Sequence, residues 1–129
     1  MKNNLANIKK AKMLLDSGYC IAIPTETVYG LAANAYSNTA VKKIYKLKKR
    51  PKNNPAIVHY SSLKQLKSDC DLNKNFYLLY KKLCPGPITF VLKLKKKSRI
   101  SKFVNNNKNT LAVRFPKNNL SKKLLNLLD

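Results

Sequence analysis

Thr25, Glu26, Thr27, Tyr29 and Gly30 bring two hydroxyls, a carboxylate, a phenol and a glycine together within six residues. That density of hydrogen-bonding groups is more than a connection requires. It follows at once on residues 20–23, a short apolar run with β-branched residues that reads as a buried strand stopped by Pro24, which removes a ladder donor and fixes φ. Loops after strand ends are where α/β proteins hold ligands; the plainer alternative is a tight turn in which Thr25 and Thr27 only bond backbone groups. A cationic cluster, residues 46–50, leaves Lys48 and Arg50 projecting at a loop because Pro51 ends the helix that carries them, although cations there also suit the negative end of a helix dipole. Thr110 and Arg114 are four residues apart on one strand, so their side chains share a face. His59, the one histidine, sits at a strand end, where a structural role is the common one.

The elements that must position these groups follow from periodicity. Leu5, Ile8, Lys12 and Leu15, widened by Ala11 and Leu14, predict a first helix with Gly18 as its stop. Ser37 or Asn38 caps a second helix with Val41, Ile44, Tyr45 and Lys48 on one side. Asn53, Asn54 and Pro55 make a turn before a strand over 56–60; Ser61 or Ser62 caps a short helix with Leu63 and Leu66, and residues 76–83 form another, stopped by Cys84-Pro85-Gly86-Pro87. A strand over 88–94, antiparallel to its neighbours, leads through a basic exit into a polar segment, 98–109, that reads as mobile. Residues 110–115 are the last strand. Ser121 caps a final helix whose Leu120, Leu124, Leu125, Leu127 and Leu128 need a sheet to cover. Strands alternating with helices predict an α/β fold with a twisted, open, mixed parallel and antiparallel sheet flanked by helices.

The 129 residues suffice for a single domain with a real core. The 27 Lys+Arg against 5 Asp+Glu give a net charge of +22, which points to phosphate-bearing partners, nucleotide or RNA. Lysine and asparagine both have A/T-rich codons, so codon bias is an equal explanation. The acids are Asp16, Glu26, Asp69, Asp71 and Asp129, too scattered to cage a divalent ion, and Cys20, Cys70 and Cys84 lack Cys-x-x-Cys spacing, so reduced thiols and no protein-held metal are expected. No apolar run approaches the ~20 residues of a membrane span. The expectation is a soluble, cytoplasmic chain without a membrane partner.

Pro24-Thr25-Glu26-Thr27-Val28-Tyr29-Gly30-Leu31 resembles the signature of the YrdC family, the threonylcarbamoyl-AMP synthases that begin threonylcarbamoyladenosine synthesis on tRNA. Three further stretches match in the family's order: Lys48-Lys49-Arg50-Pro51 leading to Asn54-Pro55-Ala56-Ile57-Val58-His59, then Pro85-Gly86-Pro87-Ile88-Thr89-Phe90-Val91-Leu92, then Ala112-Val113-Arg114-Phe115-Pro116. The resemblance implies that L-threonine, bicarbonate or CO2, and ATP combine into threonylcarbamoyl-AMP with release of pyrophosphate. It places Thr27, His59 and Arg114 at threonine, with Arg114 at the carboxylate, and Arg50, Asn54 and Thr110 at ATP, where Lys48 reaches a phosphate. Lys48 and Arg50 are the candidates for offsetting charge on the transferring phosphoryl group. Mg2+ is expected to arrive with ATP, held by phosphates and water. For the proton acceptor both Glu26 and His59 stay open. Further partners implied are tRNA and the proteins that carry the threonylcarbamoyl group onward.

Family members continue through a Ser-Ala-Asn-x-Ser-Gly segment that these 129 residues do not contain. A nucleotide pocket short of one wall, slow or no turnover, and an exposed sheet edge inclined to self-associate are therefore expected of this chain alone. The alternative from another class is a non-catalytic YrdC-like basic domain that holds RNA or nucleotide through phosphate contacts.

Overall fold

A computed structural model describes residues 5–24 and 29–128. Thr25, Glu26, Thr27 and Val28 lie outside the described residues, and with them the threonine position assigned to Thr27 and the candidate base Glu26. Helix α1 (Leu5–Asp16) buries Ile8 and Leu15. It closes through Gly18 at φ 89, where the Tyr19 N–H reaches Leu14 O and the Gly18 N–H reaches Leu15 O, both at 3.0 Å. This crossed pair of bonds satisfies the last carbonyls of a helix through a left-handed residue.

β1 (Ile21–Pro24) pairs antiparallel with β2 (Tyr29–Ala32), with Pro24 opposite Tyr29 and Ile23 opposite Gly30. Pro24 loses one donor, which ends the strand but does not prevent the return strand from pairing. α2 (Asn38–Leu47) is capped by Ser37, whose hydroxyl accepts from the Ala40 N–H at 3.1 Å. After β3 (Ile57–His59), α3 (Leu63–Asp69) is capped by Ser62 and α4 (Lys74–Leu83) by Asn73. β4 (Thr89–Lys93), β5 (Thr110–Arg114) and α5 (Asn119–Leu127) complete the order.

The open sheet is mixed, as expected, but the described residues divide it. β1 and β2 stand as a pair, and a second sheet has the order β3-β5-β4, with β3 parallel and β4 antiparallel to the central β5. Alternation in β4 and β5 sends Phe90, Leu92, Leu111 and Val113 into the main core, where they meet Val41 and Tyr45 of α2, Leu66 of α3 and Phe76 of α4. Gly86, at the corner that aims β4, has room for no side chain: a Cβ there would lie 2.9 Å from Leu83 O.

Three expectations are corrected. The segment 98–109 is packed rather than mobile: Ile100 and Val104 enter the core, the Ser101 N–H donates to Ala35 O, the Ala56 N–H to Val104 O, and buried Asn105 bonds Lys108 O and Thr110 O. Its polar composition hid two apolar side chains four residues apart. The cap of α5 is Asn118, whose Oδ1 accepts from the Leu120 and Ser121 N–H groups; Ser121 is buried and donates to Pro24 O at 2.6 Å. Nor does α5 cover the larger sheet. Leu124 packs with Ile8 and Leu15, alongside Ile21 and Ile23, in a second small core shared with α1 and β1.

Candidate functional site

Between this second core and the larger sheet lies an open cleft of about 540 Å³. Gly30 and Leu31 of β2 and Leu124 and Leu125 of α5 form one wall, while Lys48 and Arg50 beyond α2 and Ile57 and His59 of β3 form the other. The cations reach it through an unusual helix end. Lys49 takes φ 52 just past α2, and the Arg50 N–H reaches Tyr45 O at 2.9 Å while the Lys49 N–H reaches Lys46 O at 3.2 Å. The bonds are those that close α1, with a lysine where α1 has glycine.

Arg50 then folds over the turn that follows. Its Nε donates to Asn54 O at 3.1 Å and its Nη2 to Pro55 O at 2.5 Å, with the guanidinium 5.9 Å from the centre of the Tyr45 ring. Tyr45 Oη donates to the same Asn54 carbonyl at 2.8 Å. The fork is thus fixed by neutral oxygens, which orient it without cancelling its charge. Asn54 contributes this carbonyl, and its residue is exposed beside the cleft rather than lining it.

Arg114 is held in the same manner on the larger sheet. Register sets His59, Arg114 and Thr89 side by side across β3, β5 and β4, on the face opposite to Val113 and Phe90. Thr89 Oγ1 accepts from Arg114 Nε at 3.2 Å and from Nη2 at 2.7 Å, and the Tyr60 N–H donates to Arg114 O at 3.0 Å. One edge of the fork is therefore steadied by a hydroxyl. Thr110 lies on this same face but at the other end of β5, opposite Lys93 and roughly 13 Å along the strand from Arg114. The sequence-derived set thus falls into three places: Lys48 and Arg50 at the cleft with His59 at its edge, Arg114 next to His59, and Thr110 apart.

Two participants were not singled out from sequence. Thr89 sits within the Pro85–Leu92 stretch, and only the pairing of β4 with β5 puts it against Arg114. Asp69 is 2% exposed and accepts from Tyr36 Oη at 2.6 Å, Tyr60 Oη at 2.8 Å and Ser98 Oγ at 2.6 Å. Burial, and then the Asp69 carboxylate, push both phenols well above their ordinary range, so they remain neutral donors. The three cysteines are free thiols, and burial pushes Cys70 up to about 12. Among the described residues no three His, Cys, Asp or Glu side chains converge as a metal ion would require, and no helix is long and apolar enough to cross a membrane.

Residues 13–129 match the Sua5/YciO/YrdC family model, described as telomere recombination. The chain belongs to that family. It is 38% identical over 121 residues to threonylcarbamoyl-AMP synthase of Pyrococcus abyssi, covering 93% of this chain and 35% of that protein, and 39% identical over 129 residues to the Bacillus subtilis threonylcarbamoyl-AMP synthase, covering 97% and 36%. It spans about a third of the length of these curated relatives. Among solved structures, P. abyssi Sua5 complexed with L-threonine superposes with a TM-score of 0.90 at 35% identity over 98% of this chain and 36% of that one. Escherichia coli YciO, at 23% identity, has the same fold with a TM-score of 0.84 over 97% of this chain and 60% of that one. The family's members thus share this arrangement of mixed open sheets and flanking helices, and the curated relatives at 38% and 39% identity are named threonylcarbamoyl-AMP synthases.

Proposed function

We propose that this chain carries the threonine- and ATP-handling part of a threonylcarbamoyl-AMP synthase. The observation that carries the reading is the pair of arginines, Arg114 and Arg50, each fixed by neutral oxygens with its charge left for an anionic ligand. Two such forks suit two anionic substrates. Arg114 takes the threonine carboxylate, as the complex of Sua5 with L-threonine encourages; His59, next to it in register, faces the amino group. Arg50 and Lys48 take ATP phosphates at the cleft, and the exposed Asn54 and the more distant Thr110 belong to the nucleotide side.

The chemistry asks for orientation more than for covalent work. The threonine amine loses a proton and attacks CO2, giving a carbamate; the carbamate oxygen attacks the α-phosphorus of ATP, and pyrophosphate leaves. Arg114 orients the amino acid, while Arg50 and Lys48 offset charge gathering on the phosphoryl oxygens. His59 and Glu26 are the groups of the right type to accept the proton. Mg2+ arriving with ATP would be held by the phosphates and water, and would offset part of the phosphate charge beside Lys48 and Arg50.

Pyrophosphate release from threonine, bicarbonate and ATP, measured together with threonine binding by calorimetry, tests the reading. Threonine binding that Arg114→Ala weakens by roughly one to two powers of ten, with pyrophosphate release that needs all three substrates, is the expected result. Binding indifferent to Arg114→Ala would overturn it.

A further inference from the structure

The third arginine belongs to none of the stretches above. Arg99 lies over the Tyr36 ring, 5.2 Å from its centre, and lines both the large cleft and a second, separate basin of about 460 Å³. Lys67, Lys95 and Lys97 complete the cationic rim of this basin, with Ser68 and Asp69 below. We infer that the basin is a phosphate-binding subsite in which Arg99 supplies the fork.

Three observations support this. The scaffold is fixed before any ligand arrives: the Lys95 N–H donates to Asp69 O at 2.7 Å, Lys95 Nζ to Lys67 O at 2.6 Å, the Asp71 N–H to Lys93 O at 2.9 Å and Ser98 Oγ to Asp69 Oδ1 at 2.6 Å. The turn after β4 is thereby stapled to the end of α3. Next, the charge is not cancelled from within. The one carboxylate in the basin keeps its charge but is held by three neutral hydroxyl donors rather than by a cation, and four cations against one acid leave positive charge in excess. Finally, in a chain where 24 of 27 cations are lysine, an arginine outside the family stretches, held by a ring face rather than a carboxylate, keeps a planar edge that matches two phosphate oxygens. A plainer account assigns these lysines to the negative end of α3. It explains Lys95, which bonds Lys67 O, but not Arg99, which turns to the wall shared with the cleft.

The same oxyanion chemistry is offered by free polyphosphate and by the phosphodiesters of RNA, and the inference does not depend on the adenylation reading. Inorganic pyrophosphate and a short single-stranded RNA are titrated separately at low salt into the 129-residue chain, into K97Q/R99Q and into K81Q/K82Q, which removes the same charge from exposed positions of α4. K97Q/R99Q is expected to lower the affinity for at least one probe by about tenfold or more, against about threefold or less for K81Q/K82Q. A selective loss for pyrophosphate identifies free polyphosphate as the ligand, and a selective loss for RNA alone identifies phosphodiester. Should K97Q/R99Q fail to fold, K67Q/K97Q leaves the Arg99–Tyr36 contact in place and is held to the same comparison. Equal losses in the basin and α4 variants for both probes would overturn the inference, because the charge would then act without a site.

Discussion

The two faces of the β3-β5-β4 sheet are built from alternate residues of the same strands, yet they do different work. On one face Leu111 and Val113 are 0% exposed and Phe90 and Leu92 pack on α4 and its neighbours. On the other, Val91 is 68% exposed and Ile57 41%, in a row with Ala112, between the Arg114 row and the Thr110–Lys93 pair. The closed face holds the fold together; the open one presents charge and hydroxyls on a rigid base. Because side chains alternate with a period of two, a substitution on one face leaves the other in register. The two functions therefore separate by mutation.

The largest effect is expected on the closed face. Leu111→Ala removes a fully buried side chain from the middle strand, and its loss, cavity included, costs about 2–5 kcal/mol. Chemical denaturation reads this as a lowered midpoint with little change in slope. A loss below about 1 kcal/mol would mean that the core beneath β5 collapses around the gap and that the faces are less distinct than their burial suggests.

Arg114→Ala makes the opposite cut. Its hydroxyl partner Thr89 is exposed, so stability should change by no more than about 0.5 kcal/mol. A lost charge-assisted bond to a ligand carboxylate is worth about 1.5–3 kcal/mol, or roughly one to two powers of ten in threonine affinity. Threonine and ATP titrations side by side are the check: equal weakening of both removes Arg114 from the amino-acid side. Arg50→Ala is expected to mix the two effects, because its bonds to Asn54 O and Pro55 O brace a turn as well as aiming the fork. About 1–2 kcal/mol of stability should go with the ATP affinity, and a variant that loses neither would leave Arg50 without a role.

This division explains what could be read from the chain alone. Periodicity exposed the helices, narrowed their caps to Ser37 or Asn38 and Ser61 or Ser62, of which Ser37 and Ser62 serve, and exposed the shared side of Thr110 and Arg114, because each depends on residues a few positions apart. Partnerships across long separations were hidden. Nothing local tells Thr89 that it will face Arg114, or Asp69 that three hydroxyls from residues 36, 60 and 98 will converge on it. The return strand β2 was obscured because Tyr29 and Gly30 have the composition of a loop, and the segment 98–109 looked mobile because its asparagines outnumber Ile100 and Val104, whose burial only the finished core reveals. Ser121 was mistaken for a cap because hydroxyls at a helix start usually are; Asn118, three residues earlier, leaves it free to tie α5 to Pro24.

The smallest effect is the most direct comparison, since α1 and α2 end with the same bonds and differ in the residue that makes them. At Gly18, φ 89 involves no Cβ. At Lys49, φ 52 brings Cβ toward the carbonyl oxygen, a conformation that costs a side-chain-bearing residue on the order of 1 kcal/mol. Lys49→Gly should therefore stabilise the chain by about 0.5–1 kcal/mol, less whatever the glycine adds to the entropy of the unfolded chain. It should leave the Arg50 N–H to Tyr45 O bond and the placement of Lys48 and Arg50 intact. If ATP affinity falls while stability rises, the Lys49 charge acts on the nucleotide and the strain at the end of α2 accompanies a binding role. If both stay within error of the parent, the left-handed lysine is already relaxed by its surroundings, and the two helix ends are equivalent despite their sequences.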